Sequence, residues 1–343
     1  MKRAIVVYDC IQNDNDKSWI SLGLGGGYNV TEIFPDRLSL AVMGRKRLGR
    51  IRVILKMLSI SVKAIRNSGE QDVIVVWNRS QALFLYKFCH FMRANRSIIS
   101  FLWYNPKKRR LNSLEKECLQ DKQFLALTNT RTSIREWKEV LDIKDIHMEY
   151  FPDPFDPRDE FVQSKQKSAK YVFSGGYSGR DWETFLKVVA RCPEISFRCI
   201  AHKNQWDASW DIPKNLEVRF NTTTTEYYSI MKNATVAVFV CKENTTAGLI
   251  NVNKSIQYGI IPIITYNDAI DEYFEEQYKC FMVLDNNVEE FSKIIQYVIR
   301  YSDVQYDLIM KDMQSHLKEN FSGVDNMKKL MEKYECAKSA KAV

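Results

Sequence analysis

The sequence predicts an α/β protein of two doubly wound parallel sheets, and three observations point there. Short apolar runs of strand length alternate with segments of helical period along the whole chain of 343 residues. The alternation stops near residue 150 and restarts near residue 171. Between them lies FPDPFDPRDEFVQSKQKSAK, residues 151–170, whose three prolines in its first seven residues forbid a continuing helix or sheet. The expected divisions are therefore a first domain at 1–150, a linker at 151–170, a second domain at 171–320 and a helical tail at 321–343. The last residues, KYECAKSAKAV, read as a frayed helix end.

In the first half the expected strands are Ala4–Tyr8, Leu38–Met43, Val73–Trp77, Ile98–Trp103, Phe124–Thr128 and Ile146–Tyr150. Helical periods fall at about 50–67, 80–94, 111–121 and 131–141. In the second half the strands are Tyr171–Ser174, Phe197–Ala201, Leu216–Phe220, Val236–Val240, Ile260–Thr265 and Cys280–Leu284. The helices there lie near 181–191, 225–232, 248–258, 268–275, 287–301 and 303–319.

A hydrophobic content of 45% and a charged content of 27% are ordinary for a folded globular chain. No apolar run approaches bilayer-spanning length, and MKRAIVVYDC reads as a first strand rather than a secretion signal. The eight cysteines form no C-x-x-C pair, so reduced thiols in a cytoplasmic protein are expected. The net charge of +8 is uneven: residues 1–150 carry 26 Lys and Arg against 15 Asp and Glu, and the remainder carries 24 against 27. An anionic partner is thus expected for the first half only.

The segment TTAGLINVNKSIQYGIIPIIT, residues 245–265, reads as a glycine-bearing loop, a short helix, a stop at Gly259 and a buried strand. Thr245, Thr246 and Gly248 open a helix whose free N–H groups and positive dipole end suit an anion such as a diphosphate. Lys242, Glu243, Asn244 and Ala247 belong to the same loop, at the carboxyl end of a strand where open α/β sheets bind ligands. Upstream, YVFSGGYSGRDW is a strand, a glycine turn with Gly175, Gly176 and Gly179, and a helix capped by Asp181.

Together these motifs resemble the GT-B-fold glycosyltransferases of the group 1, family 4, retaining kind. The resemblance implies two Rossmann-like domains facing across a cleft, with the second holding a nucleotide-diphosphate sugar. In that family two acidic residues eight positions apart flank the donor; the matching positions here are Thr246 and Lys254, and neither is acidic. An Arg and a Lys five residues apart neutralise the diphosphate in the family; Arg180 takes the Lys place, and the Arg place falls at Gly175 or its neighbour. By the same resemblance Phe220 and Thr222, after their strand, contact the base. Lys254 has two readings: a replacement phosphate clamp, or a residue on the outer face of its helix. Glu243 likewise reads as a replacement carboxylate or as a solvated loop charge.

In the first half, Gly25, Gly26 and Gly27 follow the first strand, and the resemblance implies that their backbone faces the cleft and the leaving diphosphate. Asp9 and Glu115 are candidate cleft carboxylates. The stretch 44–66 puts Ile51, Ile54, Leu55, Leu58, Val62 and Ile65 on one helical face, with Arg45, Lys46, Arg47, Arg50, Arg52 and Lys56 crowding its start. One reading is a helix packed on the core with a solvated basic end. The other is docking on an anionic membrane surface, joined by Lys107, Lys108, Arg109 and Arg110.

The expected activity is transfer of a sugar from a nucleotide-diphosphate sugar to a glycan or glycolipid, with retention, in surface polysaccharide or glycoconjugate biosynthesis. Arg180 and Lys254 would carry the electrostatic catalysis, with no metal and no cofactor. The alternative is a non-catalytic homologue serving as partner subunit of a glycosyltransferase. No nucleic-acid module is recognisable. A cytoplasmic protein, peripheral at the inner face of the membrane, is the expected setting.

Overall fold

A computed structural model describes residues 2–8, 18–34, 47–104, 106–108, 113–155, 157–163, 170–176, 179–242 and 248–340. The chain divides into two compact units, residues 1–152 with 323–343, and residues 153–322.

The first unit contains β1 (Lys2–Val7), α1 (Ser18–Leu24), β2 (Tyr28–Ile33), α2 (Arg47–Asn67), β3 (Val73–Val76) and α3 (Arg79–Phe91). It continues with β4 (Ser97–Phe101), α4 (Ser113–Gln120), β5 (Phe124–Thr128), α5 (Arg131–Leu141) and β6 (Met148–Tyr150). Its sheet is parallel, in the order β2-β1-β3-β4-β5-β6. The strands are apolar throughout because both faces are covered, and their period of two sends alternate residues to different cores. Ile5, Val7, Ile74, Val76 and Ile98 meet Ile60 and Ala64 of α2, Leu85 of α3 and Cys118 of α4. Ala4, Val6, Val73, Val75 and Ile99 meet Trp19, Ile20 and Leu24 of α1.

One short helix cannot cover that second face. The chain's last helix does the rest, and Met327, Leu330 and Met331 complete the core there. The contact with α1 is close: a Cβ at Gly23 would stand 2.6 Å from the Met327 Cβ. So the helical tail expected at 321–343 is an 18-residue helix, Gly323–Ala340, integral to the first unit, and it continues through most of the end expected to fray.

Strand β2 was not expected at Tyr28–Ile33, and the expected strand Leu38–Met43 lies outside the described residues. This changes the role of the glycine run. Gly25–Gly27 form the turn that enters β2, and Tyr28 is in register with Lys2, the first residue of the parallel β1. The turn therefore sits at the amino ends of the strands, opposite the edge where a ligand crevice would open.

The second unit holds β7 (Val172–Gly175), α6 (Trp182–Ala190), β8 (Phe197–Ala201), β9 (Leu216–Phe220), α7 (Thr224–Lys232), β10 (Val236–Phe239) and α8 (Leu249–Gln257). After these come β11 (Ile261–Thr265), α9 (Asp268–Asp271), β12 (Met282–Val283), α10 (Val288–Ile299) and α11 (Asp303–Asn320); the helix Gly323–Ala340 of the first unit is α12. All its strand pairs are parallel, in the order β12-β11-β10-β7-β8-β9. Numbered within the unit this is the 3-2-1-4-5-6 order of dinucleotide-binding sheets, whose direction switches between β7 and β10. Pro262 is tolerated inside β11 because β12 pairs only with Ile264 and Thr265.

The described part of the linker straps onto this unit. The Asp153 N–H donates to the Tyr273 hydroxyl at 2.8 Å, Gln257 Nε2 donates to the Asp159 carbonyl at 2.7 Å, and the Val162 N–H donates to the Gln257 carbonyl at 2.9 Å. The seven described cysteines are all free thiols. Among the described residues no helix is long and apolar enough to cross a membrane.

Candidate functional site

The carboxyl ends of β7 and β10 meet at the switch point, and Arg180 lies between them. Its backbone bridges Cys241, with the Asp181 N–H on the Val240 carbonyl at 3.0 Å and the Lys242 N–H on the Gly179 carbonyl at 2.8 Å. The side chain turns back into the unit and is 5% exposed. Nε donates to the Gly175 carbonyl at 2.9 Å, Nη1 to Cys241 Sγ at 3.1 Å, and the guanidinium lies 5.2 Å from the Phe239 ring centre. No carboxylate pairs with it among the described residues. Among the described residues this buried cation is held by a carbonyl, a thiol and a ring, a poor compensation that an anion would complete.

Two glycines make room for this side chain. Gly176 has φ +136°, and a Cβ there would meet the Arg180 guanidinium at 2.7–2.9 Å. Gly248, at φ +111°, begins α8, and its Cβ would stand 3.0 Å from Ile264 Cδ1 and 3.6 Å from Arg180 Nη1. The α8 N-terminus, with the unbonded N–H groups of its first turn, is thus beside Arg180. Gly175 is small for another reason: Tyr227 of α7 covers it, and a Cβ would lie 2.6 Å from Tyr227 Cε2. The Tyr227 hydroxyl in turn donates to Asn251 Oδ1 at 3.3 Å, joining α7 to α8. So Gly175 and Gly176 cradle Arg180 rather than open the backbone to a ligand.

A polar network that the sequence reading missed fixes the loops around Arg180. The Cys241 N–H donates to Thr265 Oγ1 at 2.8 Å, and Thr265 donates to Asn286 Oδ1 at 2.5 Å. Asn286 Nδ2 donates to the Cys241 carbonyl at 2.9 Å and to Asp181 Oδ2 at 3.1 Å. Asp181 also caps α6, accepting from the Thr184 N–H at 3.1 Å. Burial raises the Cys241 thiol pKa, and Arg180 only partly offsets that, so the thiol stays protonated. Asn286, which joins these groups, is left-handed at φ +52°.

Lys254 is not at this site. Its Nζ donates to Asp159 Oδ2 at 2.6 Å and lies 5.3 Å from the Tyr228 ring and 5.6 Å from the Tyr258 ring. Asp159 also accepts from the Tyr258 hydroxyl and faces Lys232 Nζ at 3.7 Å. Lys232 ends α7 and Tyr258 ends α8, and both helices deliver the chain to the amino ends of β10 and β11. That is the edge opposite Arg180. The phosphate-clamp reading of Lys254 is therefore corrected: its charge is neutralised by Asp159, and at 8% exposure it is not an outer-face residue either. Burial would raise the Asp159 carboxyl pKa, but the Lys254 and Tyr258 hydrogen bonds and the two lysine charges outweigh it and hold it below its ordinary value.

Phe220 ends β9, two strands from β7 and so on the order of 10 Å away. It is 38% exposed and packs edge-on against Trp206, which also touches Trp182 and Trp210. Of this aromatic cluster only the Phe220 end was anticipated. Thr222 lies on the turn between β9 and α7. Glu243, Asn244, Thr245, Thr246 and Ala247 lie outside the described residues, as do Asp9, Arg45, Lys46, Arg109 and Arg110. The side chains of Arg47 and Lys108 are likewise not described. Lys107 is spoken for, 3.3 Å from Glu139 and 3.7 Å from Glu136. Glu115 is 1% exposed and pairs with Arg79 and the Tyr104 hydroxyl, so it is a buried partner rather than a cleft carboxylate.

The α2 face expected to meet the core is exposed in its first half. Ile51, Ile54, Leu55 and Leu58 are 60%, 55%, 60% and 36% exposed, whereas Met57, Ile60 and Ala64 are buried.

No family model and no curated protein sequence matches the chain. Solved structures do. An α,α-trehalose-phosphate synthase (UDP-forming) from Burkholderia vietnamiensis matches with a TM-score of 0.69 at 10% identity, over 100% of this chain and 99% of that one. HepE from Anabaena, in complex with UDP-glucose, gives 0.69 at 12% identity over 97% and 99%. A glycosyltransferase from Rickettsia africae gives 0.66 at 12% identity over 97% and 98%. At such identities the likeness is one of fold. The chain has the GT-B fold, with two Rossmann-like α/β units.

Proposed function

We propose that the chain is a glycosyltransferase that moves a sugar from a nucleotide-diphosphate sugar to a glycan or lipid-linked acceptor, in surface polysaccharide or glycoconjugate assembly. The second unit takes the donor and the first the acceptor, at an anionic membrane surface. The observation that carries this reading is Arg180, a buried guanidinium without a carboxylate partner among the described residues, set beside the α8 N-terminus at the switch point. A departing diphosphate needs that pairing of a fixed cation and oriented N–H groups. Bond cleavage leaves negative charge on the β-phosphate, and both groups stabilise it without reorganising. Retention and membership of family 4 rest on the motif resemblance. Donors of the neighbours, such as the UDP-glucose bound to HepE, make a uridine diphosphate sugar the first compound to try.

A second reading keeps the fold without the activity. Lys254 occupies a position that is acidic in the resembling family, and its engagement with Asp159 leaves no carboxylate there for the ribose. The chain would then be the partner subunit of an active transferase. A panel of nucleotide sugars separates the two by thermal shift and by release of free nucleotide. Stabilisation with turnover supports the enzyme; no stabilisation by any member would overturn it.

A further inference from the structure

The first half of α2 presents an apolar face that none of the described residues covers. Helical spacing of 100° per residue puts Ile51, Ile54, Leu55 and Leu58 in one stripe, centred about 130° from the side that carries Met57, Ile60 and Ala64 into the core. Arg50 flanks the stripe on one side and Arg52 on the other. Gln81, in the first turn of α3, donates to the Met57 carbonyl at 3.2 Å and to Ser61 Oγ at 3.1 Å. The residues of α2 ahead of Met57 therefore reach on the order of 15 Å beyond that clamp, past the carboxyl edge of the sheet.

Charge decides what covers the stripe. No Asp or Glu occurs between Asp36 and Glu70, and α2 itself carries six Lys and Arg. A second copy docked face to face would set these cations against their own images. An anionic lipid surface instead accepts the four aliphatic side chains at the level of the headgroups and neutralises the flanking cations. We infer that the first half of α2 is a membrane-docking element, in which Ile51, Ile54, Leu55 and Leu58 insert into an anionic bilayer and Arg50 and Arg52 bind its headgroups. This inference is independent of sugar transfer and holds for a catalytic or a non-catalytic chain.

The test is co-sedimentation with vesicles of phosphatidylcholine, with and without 30 mol% phosphatidylglycerol. The full chain is expected to bind the anionic vesicles, and binding falls as salt rises. Ile51→Ser/Ile54→Ser/Leu55→Ser is expected to reduce binding at least tenfold, and Arg50→Gln/Arg52→Gln by at least as much, at roughly fivefold per cation. All these side chains are off the core, so both variants should keep the parent melting temperature. Leu308→Ser, at a 64% exposed position in the second unit, is the control and should bind like the parent. Failure of the parent chain to bind anionic vesicles at low salt overturns the inference. So does unchanged binding by the serine variant, or a dimer of the free chain that the same three serines dissolve.

Discussion

Lys254 Nζ stands 2.6 Å from Asp159 Oδ2, joining α8 to the strap that enters the second unit. The pair lies at the amino edge of the sheet, whereas Gly248, at the other end of the same helix, lies beside Arg180. One helix thus has two separate jobs, and the two ends can be tested apart. Lys254→Met is expected to lower stability by about 1–3 kcal/mol, since it leaves a half-buried carboxylate with weaker partners. Donor affinity by calorimetry should stay within twofold of the parent. A tenfold loss of affinity at unchanged stability would return Lys254 to the binding site.

The same pair sets a pH dependence. The Asp159 carboxyl is held below its ordinary value in the folded chain, so its contribution to stability is fully present above the unfolded value near 4 and is lost as pH falls through the folded one. Acid melting curves of the parent and Asp159→Asn should converge as pH drops from about 5 to 2. Parallel curves across that range would show that the pair contributes no linkage.

Gly176 and Gly26 should respond in opposite ways to alanine. At Gly176 the φ of +136° and the contact with Arg180 both resist a side chain, so Gly176→Ala is expected to cost about 1–3 kcal/mol and to displace the guanidinium. A Cβ at Gly26 meets nothing within 4 Å, so Gly26→Ala should be neutral to within about 0.5 kcal/mol and should leave donor binding intact. Loss of donor binding in Gly26→Ala would reinstate the glycine run as part of the site.

Gly23 reports on the docking of α12. With 2.6 Å between its would-be Cβ and Met327 Cβ, Gly23→Ala is expected to destabilise the first unit by about 1–3 kcal/mol. A double-mutant cycle of Gly23→Ala with Met327→Ala should show the two positions coupled by about 0.5 kcal/mol or more. Additive losses in the pair would mean that the two helices do not meet there.

The strands and most helices were legible because each is long enough for its period to show; Phe124–Thr128, Phe197–Ala201 and Leu216–Phe220 fall as expected. That Arg180, Gly176 and Gly248 lie near the carboxyl strand ends was legible because glycines mark left-handed turns at such connections. What stayed hidden was long-range or two-sided. Asp159 lies 95 residues from Lys254, and a register argument cannot see a partner that arrives from a linker. In α2 both Met57-Ile60-Ala64 and Ile51-Ile54-Leu55-Leu58 are apolar stripes, so periodicity names two faces without saying which meets the sheet. The β2 strand was masked by the glycines before it, although Tyr28 and Val30 alternate with polar residues as an edge strand should.

In the proposed function, Arg180 is the residue on which donor binding turns. Isothermal titration of a uridine diphosphate sugar against the parent chain and Arg180→Gln tests it most directly, with both proteins first shown to melt alike. Loss of a charge-assisted pairing worth about 1.5–3 kcal/mol predicts an affinity roughly tenfold to a hundredfold weaker in Arg180→Gln. Equal affinity in the two proteins would contradict a diphosphate held at the junction of β7, β10 and α8.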